Sequence, residues 1–347
     1  MTDTATKTLA IENIVNDVLG TIDREREREI ISRRYGLFDR KETLEQIGEL
    51  LGITRERVRQ LEKAVVIRLK AQAEAGQLPH IAEVQTKFVT IIDEMGKIAR
   101  IGDLSGAVTK TNNRLDQARV SFLAHLCPQL AVIEDNDHFH HAVGVVSHHN
   151  EKKIKELVTS LIEVIKQHGE PADIKTVAVK AGHSDHSHTQ ALAGVSKHLA
   201  TLNGRWGLIR WPMVNPKNIR DKIYVILKEN GKHMHFNEIA EAIKSSDFKR
   251  RNVTTQAIHN ELIKDKRFVL IGRGIYALKE WGYSKGTVAD IITEVLKKAG
   301  EPLHRDEIVK RVLKSRYVKE TTILLNLQGK DQFKRTAKAT YTIAEQN

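Results

Sequence analysis

Apolar residues recur at helical spacing near the start of the chain. Leu44, Ile47 and Leu51 stand three and four apart in "TLEQIGELLG", and Val58, Leu61, Val65 and Leu69 carry the same stripe through "RERVRQLEKAVVIRL". That period belongs to helices with one buried face. Thr43 followed by Gln46 spells a capping box, in which hydroxyl and amide reciprocally satisfy free N–H groups. Gly52 closes that helix and Thr54 is placed to cap the next. Two short helices across a tight glycine turn predict a helix-turn-helix, whose second helix enters the major groove of DNA. Upstream, Asp23 is placed to cap "REREREIISRRYG", whose charges of alternating sign should cover an exposed face, with Gly36 as its stop. Residues 71–87 read as a helix tail running into a linker.

Beyond residue 87 the pattern repeats. "IIDEMGKIARIGDLSGAV", "VIKQHGEPADIKTVAVKA", "ILKENGKHMHFNEIAEAI" and "VLKKAGEPLHRDEIVKRV" align on Gly96, Gly169, Gly231 and Gly300, which are 73, 62 and 69 residues apart. Four positions before each glycine stands Ile92, Ile165, Leu227 or Leu296, and eight after it Leu104, Val177, Ile239 or Ile308. Five after the first three come Ile101, Ile174 and Phe236, where the fourth has Arg305. Agreement at fixed offsets marks an internal repeat. Each copy reads as helix, glycine turn, short link, second helix, longer third helix and β-hairpin. The hairpin is clearest where Phe268–Ile271 and Ile275–Leu278 flank Gly272-Arg273-Gly274. Helices followed by a small hairpin predict winged helices. The expected fold is therefore mainly α: a helix-turn-helix (1–75) followed by about four small winged-helix (α+β) units at 84–150, 153–214, 217–284 and 286–347. In the first and fourth copies only the front half of the pattern is legible.

On a helical wheel Glu56, Arg59, Gln60 and Lys63 fall together, opposite the apolar stripe, with Arg55 at the helix start. Arginine can grip guanine, glutamine can pair with adenine and glutamate can accept from cytosine, so this mixed face suits base reading. The alternative is a solvated face laced with pairs one turn apart. In the third repeat Lys249, Arg250 and Arg251 precede a Thr-capped helix carrying Gln256, His259 and Asn260, and Arg273 tips the hairpin. This is a candidate phosphate-binding arrangement. The fourth repeat offers Lys314, Arg316 and Lys319 in a similar place. The first offers Lys110, Arg114 and Arg119 beside an acidic hairpin, "EDNDHF", which should repel a nucleic-acid backbone. The alternative for any repeat is a protein-docking or spacing unit.

Composition agrees with a polyanionic partner: Lys and Arg exceed Asp and Glu by 12. The single cysteine, Cys127, excludes an internal disulfide framework and suits a reducing compartment. No apolar run nears the ~20 residues of a membrane span, and the N-terminus lacks a signal-peptide pattern, so a cytoplasmic protein is expected. Ten of the sixteen histidines fall between 138 and 198. His183, Asp185, His186 and His188 read as a polar loop without zinc-site spacing. No metal, cofactor or enzymatic chemistry is expected.

"REREREIISRRYGL" followed by "ETLEQIGELLGITRERVRQLEKAVVIRLK" closely resembles region 4 of the sigma-70 family, over about residues 22–71. The resemblance implies binding to a promoter −35 element and contact with the flap of RNA polymerase core. Arg55, Glu56, Arg59 and Gln60 match the family's base- and backbone-contacting positions, Thr54 the helix cap, and Arg57 and Lys63 phosphate contacts. One departure stands out. A primary sigma factor carries an upstream aromatic-rich melting region, whereas none of the 22 residues before this match is aromatic. The chain is not expected to open promoters alone. The third repeat resembles the HARE-HTH family through "GRGIYAL" and Trp281, which implies DNA or polymerase binding. The second keeps Gly204-Arg205 and Trp211 at altered spacing. The expectation is a transcription factor acting on double-stranded DNA. Its rivals are a polymerase-binding adaptor like the delta subunit and a DNA sensor linked to modification or defence.

Overall fold

The structure, a computed structural model, describes residues 8–146, 150–248, 250 and 252–344. It is mainly helical, with small three-stranded sheets, and divides into two compact units, Met1–Arg210 and Trp211–Asn347.

The first unit begins with α1 (Ile11–Gly20), α2 (Glu25–Tyr35), α3 (Leu44–Leu51) and α4 (Arg55–Glu74). Thr43 forms the expected capping box with Gln46, and Gly36 and Gly52 close their helices in the left-handed conformation. Asp23 does not cap α2. Arg24 holds that position and makes no side-chain cap. The charges of α2 also do more than cover an exposed face. Glu27 is buried and accepts from Arg68 at 2.8 Å, Arg33 bonds Glu29 and Glu42 at 3.0 and 2.9 Å, and Arg34 reaches Glu62 at 3.4 Å. They fasten α2 to the chain around it.

Residues 71–87 are not a linker. After α4, Leu78 is buried and α5 (Ile81–Glu94) follows, with Ile81, Val84 and Phe88 turned inward. A single apolar cluster runs from Ile11 and Val15 through Ile31, Leu37, Val65 and Leu69 to Phe88, Phe122 and Val145. One side of α2 and the later part of α4 share this core with the first repeat, while the turn between α3 and α4 closes over a separate small cluster.

The first repeat continues from α5 with β1 (Ile98–Arg100), α6 (Ile101–Val108), α7 (Arg114–Leu126), β2 (Leu130–Ile133) and β3 (Ala142–Val145). The second is α8 (Glu151–His168), β4 (Ala172–Asp173), α9 (Ile174–Lys180), α10 (His186–Val195), β5 (Leu199–Leu202) and β6 (Arg205–Leu208). In the second compact unit come α11 (Ile219–Asn230), β7 (Met234–His235), α12 (Phe236–Ser245), α13 (Thr255–Lys264), β8 (Phe268–Gly272) and β9 (Ile275–Leu278). Last are α14 (Val288–Ala299), β10 (Leu303–His304), α15 (Arg305–Ser315), α16 (Glu320–Gly329), β11 (Phe333–Ala337) and β12 (Thr340–Ile343). Every repeat has the order helix, strand, helix, helix, strand, strand, and every antiparallel sheet has its third strand between the first and second. The short link of the sequence pattern is thus a strand. The anchoring glycines all take positive φ, 100°, 82°, 69° and 69°, where other residues are strained. The residues four before and eight after each are buried, and the residue five after, Ile101, Ile174, Phe236 or Arg305, opens the second helix. The fourth repeat has a full hairpin that its front-half pattern did not reveal.

Within the first unit the histidine-rich stretches meet at the seam between repeats one and two. His188 on α10 bonds the Gly96 carbonyl through Nδ1 at 2.7 Å, and a Cβ on Gly96 would meet the Ser187 carbonyl oxygen at 2.6 Å. The Arg100 guanidinium donates to the Gly194 carbonyl. The acidic hairpin is docked across this seam: Asp135 pairs with Lys197 at 2.9 Å, His138 with His198 at 2.8 Å, and Phe139 bridges to Ser196. His125, His140, His141 and His188 all have pKa values below the ordinary 6.5, because burial disfavours the imidazolium form. Unfolding raises their pKa, so the unfolded chain takes up protons as pH falls through about 6.5 and folding weakens there. Calorimetry of the full chain between pH 7.5 and 5.5 should show a melting temperature that falls with pH. A flat or rising value would contradict this.

Candidate nucleic-acid interface

The turn between α3 and α4 is close. Gly48 lies inside α3, and a Cβ there would meet the Ile53 carbonyl oxygen at 2.7 Å, nearer than real Cβ atoms approach. Only glycine lets α4 start against α3 without displacing backbone. Ile30, Ile47 and Val58 form the small core beneath, flanked by Leu44, Leu51, Ile53 and Leu61. Arg26 donates to the Leu51 carbonyl at 2.6 Å, satisfying an end group of α3. Thr54 then caps α4, its Oγ1 accepting from the Arg57 N–H at 3.2 Å.

With Val58, Val65 and Leu69 buried, α4 turns Arg55, Glu56, Arg57, Arg59, Gln60 and Lys63 to solvent. Most of these side chains hold one another. Arg59 grips Glu56 with two hydrogen bonds, Nε to Oε2 at 2.8 Å and Nη2 to Oε1 at 2.6 Å. Gln60 donates to the same carboxylate at 3.4 Å, and Arg57 donates to the Gln60 amide oxygen at 3.3 Å. The Arg59 guanidinium holds the Glu56 carboxyl below its usual range. Exposed pairs of this kind contribute little to stability, so the face can exchange them for a ligand at small cost. Residues 24–71 are a sigma-70 region 4 domain.

Relatives are similar to this chain over 67 to 73 residues. The RNA polymerase principal sigma factor HrdD of Streptomyces griseus is 42% identical over 67 residues, 19% of this chain and 20% of that protein. The RNA polymerase sigma factor SigA of Microcystis aeruginosa is 44% identical over 69 residues, 20% of this chain and 16% of that protein. The RNA polymerase sigma factor sigB of Arabidopsis thaliana is 40% identical over 73 residues, 21% of this chain and 12% of that protein. The chain spans a fifth or less of the length of these relatives, and most of it lies outside the match.

In the third repeat Thr254 caps α13 as its position suggests, and Gln256, Asn260 and the hairpin residue Arg273 are exposed. Gln256 bonds Asn260 at 3.1 Å. His259 turns toward its own repeat, with its ring 5.1 Å from Phe236 and 6.2 Å from Tyr276. Arg250 is exposed with φ 55°, and its carbonyl accepts from Nζ of the buried Lys222 at 2.8 Å. Sequence reasoning passed over Lys222, although a lysine one residue before Ile223 on the inner side of α11 was a signal. Lys249 and Arg251 lie outside the described residues.

Two other basic candidates have structural duties. Arg119 is buried on α7, where Nε donates to the Leu37 carbonyl at 2.8 Å and Nη1 to Glu12 at 2.9 Å. It faces the core, not a phosphate. Arg316 is half-buried and donates to the Leu270 carbonyl at 3.2 Å, tying the fourth repeat to the third. The third helices of the first two repeats are also engaged: α7 is packed by α1, α2 and α4, and α10 by β1. Among the described residues no group of three or more His, Cys, Asp or Glu could hold a metal ion, and no helix is long and apolar enough to cross a membrane. Cys127 is buried, which pushes its thiol pKa up to about 12.

Proposed function

We propose that this chain is a cytoplasmic, non-enzymatic transcription regulator that reads a −35-like element in double-stranded DNA through α3 and α4. The observation that carries the reading is the exposed α4 face of Arg55, Glu56, Arg59, Gln60 and Lys63, set on a sigma-70 region 4 domain. Arg59 and Gln60 contact base edges, while Arg57 and Lys63 hold phosphates. The four repeats are winged helices, a reading supported by their common element order and sheet order. The third is of the HARE-HTH kind and adds backbone contacts through Lys249, Arg250, Arg251, Gln256 and Arg273. The first two act as spacers, because α7 and α10 are covered. Modules joined on one chain gain affinity through effective concentration, so none need bind tightly alone.

Selection of bound duplexes from a random pool by the full-length protein tests this reading. Enrichment of one short −35-like motif is the expected result. A pool that stays random while RNA polymerase core co-purifies after nuclease treatment would replace it with the adaptor reading. That alternative draws on the names of the relatives, all of them RNA polymerase sigma factors.

A further inference from the structure

The four hairpins differ sharply in charge. The first carries Glu134, Asp135 and Asp137 and is docked on the second repeat. Counted from just before the first strand of each hairpin, the second carries Lys197 and Arg205, and the third Lys266, Arg267 and Arg273 against Asp265, with Lys197 paired to Asp135 and Arg267 paired to Asp221 and Asp265. The fourth reads "KDQFKRTAKATYTI" and sets Lys330, Lys334, Arg335 and Lys338 against the single carboxylate of Asp331, with all four cations exposed.

Register places these charges. Lys334 stands opposite Thr342 and Arg335 opposite Tyr341, so the two cations leave the ribbon on opposite faces, and Lys338 sits at the tip. The ladder shifts between Arg335 and Ala337, a bulge that adds local twist. Elsewhere the arginines of this chain commonly pair with carboxylates: Arg33 with Glu42, Arg59 with Glu56, Arg267 with Asp221 and Asp265. Among the described residues no carboxylate forms an ion pair with Lys334, Arg335 or Lys338. Arg335 bonds only the Ala337 carbonyl nearby, at 3.1 Å. Three like charges thus crowd five consecutive positions, and among the described residues none of them is ion-paired.

We propose that the β11–β12 hairpin grips the sugar–phosphate backbone of duplex DNA through Lys334, Arg335 and Lys338. Phe333 and Tyr341, on the Arg335 face, are buried in the core of the repeat, so the cations that a phosphate row can meet are Lys334 on the outer face, Lys338 at the tip and the exposed guanidinium of Arg335 beyond the core. The hydroxyl of Thr342, on the same face as Lys334, can donate to a phosphate oxygen as well. The proposal rests on the reading of duplex DNA as the partner, but it requires no sequence preference. The hairpin anchors the chain on any duplex, and α4 chooses the site.

The test is the salt dependence of binding by the full-length protein to a duplex of random sequence. Each phosphate neutralised contributes about 0.9 to the slope of log affinity against log salt concentration. The triple variant Lys334→Gln, Arg335→Gln, Lys338→Gln should lower that slope by about 2 to 3. A matched variant, Lys297→Gln, Lys298→Gln, Lys310→Gln, removes the same formal charge from exposed helix positions and should leave the slope unchanged. An unaltered slope in the hairpin variant, or an equal drop in the matched one, overturns the proposal. A drop seen on single-stranded RNA but not on the duplex overturns it in favour of a different polyanion. Should the triple variant lose its fold by circular dichroism, Lys338→Gln alone decides, with an expected slope change of about 0.9. Failure of the promoter reading looks different, since random selection then enriches nothing while the slope change on random duplex persists.

Discussion

Replacing Arg59 with alanine is expected to lower affinity for the selected duplex by about 5- to 150-fold, the equivalent of one good base contact. Affinity for a random duplex should change little, and so should the salt slope, because a base edge releases no counterions. The free protein is already arranged for the exchange. Arg59 holds Glu56 through two short hydrogen bonds on an exposed face, where water screens the pair and releasing it costs little. Equal losses on both duplexes would mean that Arg59 touches phosphate. No loss on either would remove α4 from the groove.

The second large effect lies in the core. Arg119→Leu should destabilise the first compact unit by about 1–3 kcal/mol, because the buried Leu37 carbonyl then loses its donor. For a unit of this size that is about 2–4 °C of melting temperature per kcal/mol. The Arg119 guanidinium also lies 5.6 Å from the centre of the Phe38 ring, so packing is lost with the charge. Thermal melting of the full chain and the salt slope of DNA binding separate the two roles open to this residue. A lower melting temperature with an unchanged slope fits the buried strut. Unchanged melting with a shallower slope would restore the phosphate contact read from its sequence position.

Arg119 also shows where sequence reading stopped. Local signals were legible wherever cause and effect lie within a turn: Thr43 with Gln46, Thr54 at the head of α4, Thr254 at the head of α13, and the glycines that close the first helix of each repeat. The α4 face was legible too, since one heptad of spacing decides which side chains leave the apolar stripe. Arg119 finds its partners 82 and 107 positions away, at Leu37 and Glu12, and no periodicity carries such a pairing. The linker reading of 71–87 failed for the same reason. Leu78, Ile81 and Val84 are apolar enough to bury, but what they bury against is supplied by the whole cluster from Ile11 to Val145. The fourth hairpin was expected only through the repeat, because lysines and threonines alternate in it and leave few apolar markers of a strand.

The shared core has a consequence during synthesis. Residues 24–71 leave the ribosome early, yet Ile31, Leu37, Val65 and Leu69 finish their packing only with α7 and β3, whose last residue, Val145, is made about 75 positions later. At about 5–20 residues per second this leaves the sigma-like domain half-covered for several seconds. Over that interval its apolar side is open to chaperones, while the separate small core of Ile30, Ile47 and Val58 can already close.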